Sequence, residues 1–193
     1  MSWEADLAAA AAHQNLVAQL LMARLGPGYD FVESQGYDKD KDLTVFRPNG
    51  LPLAVECKND IRCYDSANLA VEVACNGRPS GLVTTLADAV VYTSHCYSPK
   101  LPLQEVTPQF GVRCAAVTWV APARTLIDAA QAAVAAGGGR VVKTYRDPQN
   151  VATCLVVYDA VGFLKTLTAR PRVGILDTRR CPWPHLHELP RKR

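Results

Sequence analysis

The chain has 193 residues, of which 49% are hydrophobic and 20% charged, and its formal net charge is +3 at pH 7. This length and composition predict one compact domain with a substantial core, and no run approaches the roughly 18 apolar residues that a membrane span requires. The opening MSWEAD carries two acids and no base, the wrong charge for a secretory signal, so we expect a cytoplasmic protein that does not associate with membranes.

The first half of the chain predicts one helix followed by short strands. Alanine and leucine dominate residues 2–25, and the Gly-Pro-Gly that follows should end a helix there. Runs typical of strands follow at 29–34, 42–47, 51–58 and 67–75. The turn sequence RPNG separates the second and third runs, which should therefore form a hairpin.

The second half mixes both element types. Residues with high β-propensity recur at 89–93, 113–120, 140–145 and 154–164. A helix is expected after Pro122, closed by the three glycines at 137–139. Beyond Thr168 the repeated prolines favour an irregular tail. The order predicts an α/β (α+β) domain built on a central sheet over residues 1–168, with a proline-rich tail over 169–193.

The cysteine and charge distributions add two expectations. None of the seven cysteines forms a CxxC pair, which is typical of small buried hydrophobes in a reducing compartment. From Lys165 to Arg193 the chain carries eight basic and two acidic residues, so this end is +6 and the remainder −3. A basic tail of this kind is either a nucleic-acid contact or a solvated end.

The most informative stretch is LAVECKND, residues 53–60, because it places two opposite charges in an apolar strand. Side chains alternate along a strand, so Glu56 and Lys58 should share one face, roughly 7 Å apart, while Cys57 points into the core. Asp42 begins the preceding strand and is about as far from the hairpin turn as Glu56. Two carboxylates and a lysine should therefore converge at one edge of the sheet.

Such a group suits metal-assisted phosphate chemistry. Carboxylate oxygens are ligands that Mg²⁺ prefers, and the ion lowers the pKa of a bound water. Lys58 could orient that water or stabilise the phosphate in the transition state. Asp38 and Asp40, in the run YDKDKD, are alternatives to Asp42, which is preferred because it directly abuts the apolar strand.

The spacing of these three charged residues resembles the D…(D/E)xK pattern of the PD-(D/E)XK nuclease superfamily. Their helix-strand and hairpin context resembles the αβββαβ core of that superfamily, and NLAVEVACNGRPSGLVTTLADAVVY (68–92) is similar to a segment of its small phage-type members. The resemblance covers about residues 29–92 and, more weakly, the helix and glycines at 125–139. It implies a restriction-endonuclease-like core, in which helices flank a central mixed sheet.

The resemblance also implies roles for individual residues. Asp42 and Glu56, with the backbone carbonyl of Cys57, would bind Mg²⁺, for which Mn²⁺ would substitute. Lys58 would be the catalytic lysine. Gln14 occupies the position at which some members carry a glutamate in the first helix, which leaves a second metal position open.

Further polar residues have two readings each. Glu72, inside the apolar run LAVEVA, either supports the metal site or pairs with a basic partner. Arg78, Ser80, Thr84 and Thr85 form either a phosphate cradle or ordinary turn and capping contacts. In the basic tail, Arg179 and Arg180 are candidate phosphate contacts.

These expectations combine into a Mg²⁺-dependent nuclease acting on DNA, with the choice of substrate set by DNA structure. A double-strand cut on a two-fold symmetric substrate needs two sites, so a homodimer is compatible with this activity. Two alternatives stay open: an inactive nucleic-acid-binding module of the same fold, and a structural or partner-binding protein of a phage.

Overall fold

The computed structural model describes residues 3–34, 41–60, 68–96, 115–146 and 151–177. Its elements, in chain order, are α1 (Trp3–Leu25), β1 (Asp30–Glu33), β2 (Leu43–Phe46), β3 (Pro52–Asp60), β4 (Asn68–Cys75), β5 (Arg78–Pro79), a 3₁₀ turn (Gly81–Val83), β6 (Ala89–Cys96), β7 (Ala115–Pro122), α2 (Ala123–Ala135), β8 (Gly139–Arg146), β9 (Val151–Asp159), α3 (Ala160–Thr168) and β10 (Gly174–Asp177). None of the helices in these ranges is both long and apolar enough to cross a membrane.

A six-stranded mixed sheet forms the larger layer, in the order β1-β2-β3-β6-β7-β10. The pair β3–β6 is parallel and the other four pairs are antiparallel. The hairpin expected from the RPNG turn is confirmed, with Leu43 opposite Val55 and Phe46 opposite Pro52. The mixed α/β class is confirmed as well, with three helices in the described part of the chain.

The predicted central mixed sheet is present, but β4 does not join it, because this strand belongs to a second, antiparallel sheet in the order β5-β4-β9-β8. Leu69 and Val71 of β4 lie opposite Tyr158 and Val156 of β9, and all four side chains are buried. This apolar face packs into the larger of two core clusters together with α2 and α3. The apolar face of β4 is buried in the four-stranded sheet as well as it would be in the six-stranded sheet, so the sequence pattern does not favour either one.

Helix α1 covers the opposite face of the six-stranded sheet. Val17 and Leu21, one helical turn apart, pack in the smaller cluster against Leu43 and Val55 of the hairpin and Val91 of β6. The Gly-Pro-Gly sequence ends α1 as expected, and Gly26 has a positive φ of 80°.

Three further sequence expectations are corrected by the fold. The run 154–164 is not a single β-segment, because Asp159 accepts a hydrogen bond from the Gly162 amide at 2.6 Å and thereby caps α3. The tail is not irregular throughout, because β10 pairs with β7. Residues 178–193 lie outside the described part. The second helix of an αβββαβ order does not occur within 68–88, where β4, β5 and the 3₁₀ turn lead to β6 instead.

Candidate active site

Backbone contacts on both sides hold Asp42 at the start of β2. Its amide donates to the Val55 carbonyl at 2.9 Å, and its carbonyl accepts from the Ser34 amide at 2.9 Å. Its Oδ2 accepts a hydrogen bond from the amide of Cys57 at 2.6 Å. The carboxylate thus supplies the acceptor for a β3 amide at the point where β2 begins, and this brings it beside the Glu56–Lys58 segment.

The other oxygen of Asp42 is bound from the helix layer. Gln14 on α1 donates from Nε2 to Asp42 Oδ1 at 3.0 Å. Both oxygens therefore accept hydrogen bonds, although each retains a second lone pair that is available to another donor or to a cation.

Glu56 and Lys58 form an ion pair on one face of β3, as the alternation predicts. The Glu56 side chain is 15% exposed and that of Lys58 43%, so the carboxylate lies deeper than the ammonium. The strand β3 is flanked by β2 and β6. Asp42, Glu56 and Lys58 therefore converge beside an interior strand of the sheet, where β2 begins, and not on an edge strand.

Burial shields the Asp42 carboxylate from the water that would stabilise its negative charge. Burial raises its pKa, and the nearby charge of Glu56 raises it further. The Cys57 amide bond, Lys58 and Gln14 act in the opposite direction but do not offset the increase. A carboxylate with a raised pKa next to another carboxylate is a site where added positive charge would be stabilising.

The ammonium of Lys58 is held in its charged form. Burial acts to lower its pKa, but Glu56, Asp42 and Glu72 together outweigh burial and raise the pKa above its ordinary value. Lys58 is therefore a cation and hydrogen-bond donor at neutral pH, not a base.

Cys57 lies on the opposite face of β3, as expected. Its side chain packs against the cluster beneath α1, and burial raises the pKa of its thiol. A thiol kept protonated is a poor metal ligand. Any contribution of Cys57 to a metal site would have to come from its backbone carbonyl.

Glu72 approaches the site from the second sheet. Its Oε1 accepts a hydrogen bond from Ser80 Oγ at 2.6 Å, and its charge is close enough to contribute to the raised pKa of Lys58. A Cβ on Gly81 would lie 2.6 Å from the Glu72 carbonyl oxygen, so the turn after β5 packs directly against this residue. This placement is compatible with both interpretations of Glu72, as support of the metal site and as partner of a basic residue.

The other proposed phosphate contacts are not assembled into a cradle. Ser80 bonds Glu72, Thr84 Oγ1 donates to the Gly81 carbonyl at 3.3 Å, and Thr85 Oγ1 accepts from the Ala87 amide at 3.2 Å. These are turn contacts, while Arg78 stays exposed on β5. Asp38, Asp40, Arg179 and Arg180 lie outside the described residues.

The sequence reasoning missed Asp60, which continues the alternation of Glu56 and Lys58 along β3. Its Oδ2 lies 2.9 Å from the Tyr92 hydroxyl and accepts from the Ala70 amide of β4 at 3.2 Å. Asp60 thereby joins the two sheets next to the charged cluster. Its position two residues after Lys58 on the same strand predicts that it shares a face with Glu56 and Lys58.

The donor set fits a hard divalent cation only in part. No group of three or more His, Cys, Asp or Glu side chains in the described ranges is arranged to hold a metal. Two carboxylates with a backbone carbonyl are nevertheless enough for Mg²⁺, which keeps several waters and is bound through one or two carboxylates. No family model, curated protein or solved structure matches this chain.

Proposed function

We propose that this chain is a Mg²⁺-dependent nuclease that hydrolyses phosphodiester bonds in DNA. The observation that carries the proposal is the convergence of Asp42, Glu56 and Lys58 from two hairpin strands, with both carboxylates near one ammonium that is charged at neutral pH. A partly buried carboxylate with a raised pKa beside a second acid is an arrangement that recurs at functional sites, which supports the proposal.

Asp42 and Glu56 are the residues that would hold the ion, together with the carbonyl of Cys57, and Mn²⁺ would substitute for Mg²⁺. When bound, the ion would lower the pKa of a bound water and offset negative charge on the phosphate. Gln14 and the Cys57 amide fix the direction of the Asp42 carboxylate from two sides. Such fixed ligands are costly to reorient, which favours one ion position.

Lys58 would act on the phosphate through its charge. Because its pKa is raised, it does not accept the proton of the attacking water. Its 43% exposure leaves the ammonium accessible from solvent while the carboxylate of Glu56 stays deeper. We assign Lys58 to orienting the water and stabilising charge on the non-bridging oxygens.

The proposal includes a restriction-endonuclease-like arrangement of the core. It is supported by α1 packed on the β1-β2-β3 meander and by the parallel pairing of β3 with β6. The crossover through a second sheet is a departure from the αβββαβ order. Arg78 and the basic tail containing Arg179 and Arg180 would supply phosphate contacts that do not depend on sequence.

A second candidate is a nucleic-acid-binding module without catalysis. One observation favours it: the oxygens of Asp42 already accept two hydrogen bonds and Glu56 already has a cationic partner, so the cluster is satisfied without a metal. The two candidates differ in what Lys58→Ala changes, because a binding module loses at most one phosphate contact.

The test is a cleavage assay on linear, supercoiled, single-stranded and branched DNA with Mg²⁺, with Mn²⁺ and with chelator. The proposal predicts metal-dependent cutting that Lys58→Ala abolishes while the salt-sensitive binding of DNA remains. Binding without cutting under every metal condition would establish the second candidate.

A further inference from the structure

The Lys58 ammonium has two carboxylates near it and is bound to one of them. Its Nζ forms an ion pair with Oε1 of Glu56, and the charge of Glu72 acts on the same ammonium from β4. A cation bound to Glu56 has to displace this ammonium or share the carboxylate with it, and two positive charges at one carboxylate repel each other. Lys58 and a metal ion would therefore compete for Glu56.

The face of β3 that carries Lys58 is turned towards β4 of the second sheet. Tyr92 pairs with Lys58 in the parallel register, and its hydroxyl donates to the Ala70 carbonyl of β4 at 3.0 Å. Asp60, two residues after Lys58, accepts from the Ala70 amide at 3.2 Å. Glu72 follows Ala70 by two residues. Lys58 and Glu72 therefore each lie about 7 Å along their strand from a direct contact between β3 and β4.

The Glu72 carboxylate is held in place by the turn that follows β5. Ser80 Oγ donates to its Oε1 at 2.6 Å, and the Ser80 amide donates to the Val73 carbonyl at 3.2 Å. A Cβ on Gly81 would lie 2.8 Å from the Glu72 Cβ, so the turn packs against the base of this side chain. A carboxylate has about four acceptor positions, and one hydroxyl does not fill them. Glu72 is therefore a fixed acceptor with capacity for a cationic partner.

The Lys58 side chain can change partner while its strand stays in place. Lysine carries a compact charge on a long, flexible stem. The side chain is 43% exposed, so packed neighbours do not enclose it. The strand itself is paired on both sides, with β2 and with β6. Movement of the ammonium from one carboxylate to another therefore needs only side-chain rotation.

We propose that Glu72 is a positioning residue, the alternative partner of the Lys58 ammonium when Glu56 binds a divalent cation. This role rests on the proposed function, because it requires Glu56 to be a metal ligand. Pairing with Glu72 ends the competition at Glu56 and keeps the positive charge of Lys58 at the site. Without Glu72, the displaced ammonium would have no partner beside a doubly charged ion, and the ion would bind more weakly.

The test measures the Mn²⁺ affinity of the full-length protein without DNA, from the electron paramagnetic resonance signal of unbound Mn²⁺. Lys58→Gln should raise the affinity about tenfold, because it releases Glu56 from its ion pair. Glu72→Gln, which keeps an oxygen acceptor for Ser80, should lower the affinity about fivefold. In the Lys58→Gln background, the loss from Glu72→Gln should shrink to within about twofold, because no ammonium then needs the alternative partner.

The ion pair between Arg124 and Asp128 on α2 supplies matched controls, because both of its side chains are exposed. Arg124→Gln and Asp128→Asn remove the same two charges and should each leave the Mn²⁺ affinity within about twofold of the wild type. Ser80→Ala is a second variant, which releases the Glu72 carboxylate without removing its charge. It should weaken Mn²⁺ binding in the same direction as Glu72→Gln, but less.

The outcomes separate the role of Glu72 from the nuclease. If Glu72→Gln changes the affinity equally with and without Lys58, or if Lys58→Gln does not raise it, the alternative partner is wrong and the metal site stands. Coupled Mn²⁺ binding with no cutting in the cleavage assay supports the role of Glu72 and removes the nuclease. Mn²⁺ bound by neither the wild type nor Lys58→Gln contradicts both.

Discussion

Replacing Asp42 separates its structural role from its proposed role with a metal. Asparagine keeps the shape of the side chain and an oxygen that accepts from the Cys57 amide. The Gln14 amide, which donates to Asp42 now, can turn over and accept from the new NH₂ group. Asp42→Asn should therefore keep both hydrogen bonds and remove one charge, whereas Asp42→Ala removes both acceptors.

The two variants should change stability in opposite directions at pH 7. The pKa of Asp42 is raised in the folded protein, so its protonated form contributes stability at low pH that is lost as the pH rises through the folded pKa. Asparagine carries no charge at any pH, so Asp42→Asn avoids the cost of holding a buried carboxylate ionised at pH 7. This variant should therefore be at least as stable as the wild type. Asp42→Ala leaves the Cys57 amide without this acceptor, which costs about 1–3 kcal/mol.

Urea unfolding at pH 7 and at pH 4 checks both signs. In urea, about 1 kcal/mol of unfolding free energy corresponds to roughly 0.3–1 M in the unfolding midpoint. Any advantage of Asp42→Asn over the wild type should shrink as the pH falls towards 4. A wild type clearly more stable than Asp42→Asn at pH 7 would refute the conclusion that burial and Glu56 dominate at this carboxylate.

Three further predictions concern the glycine turn, the cation and pH. Gly81→Ala should lower the unfolding free energy by about 1–3 kcal/mol more than Gly77→Ala does, as measured in denaturant melts. Both glycines have a positive φ, but only at Gly81 would an added Cβ contact Glu72. Mg²⁺ should raise the Tm of the wild type but not of Asp42→Asn in a thermal-shift assay, and an equal shift in both would exclude Asp42 as a ligand. The apparent Mg²⁺ affinity should weaken as the pH falls through the raised pKa of Asp42, which titrations at several pH values measure.

Local features of the site could be predicted from the sequence. The RPNG turn fixes the hairpin, and the period of two in β3 fixes the shared face of Glu56 and Lys58. The position of Asp42 follows from equal distances to one turn. All three features involve residues that are close in sequence. Turn propensity and the alternation of side chains along a strand are sufficient to predict them.

Relations between distant segments could not be predicted. Leu69 pairs with Tyr158, 89 positions later, and the alternation within β4 does not state which sheet the strand joins. Ser80 is a residue type that often binds phosphate, but its hydroxyl donates a hydrogen bond to Glu72 instead. The repeated prolines beyond Thr168 favour an irregular tail, whereas the four residues Gly174–Asp177, which contain no proline, pair with the free edge of β7.

The central claim is that Asp42, Glu56 and Lys58 form a metal-dependent hydrolytic site, and Glu56→Gln tests it most directly. Single-turnover cleavage and DNA affinity are measured together for this variant and the wild type, with Mg²⁺ and with chelator. We predict cutting by the wild type only with metal, and a loss of about 10²–10³-fold in Glu56→Gln with DNA affinity little changed. Cutting that persists in chelator, or a Glu56→Gln variant as active as the wild type, would contradict the account.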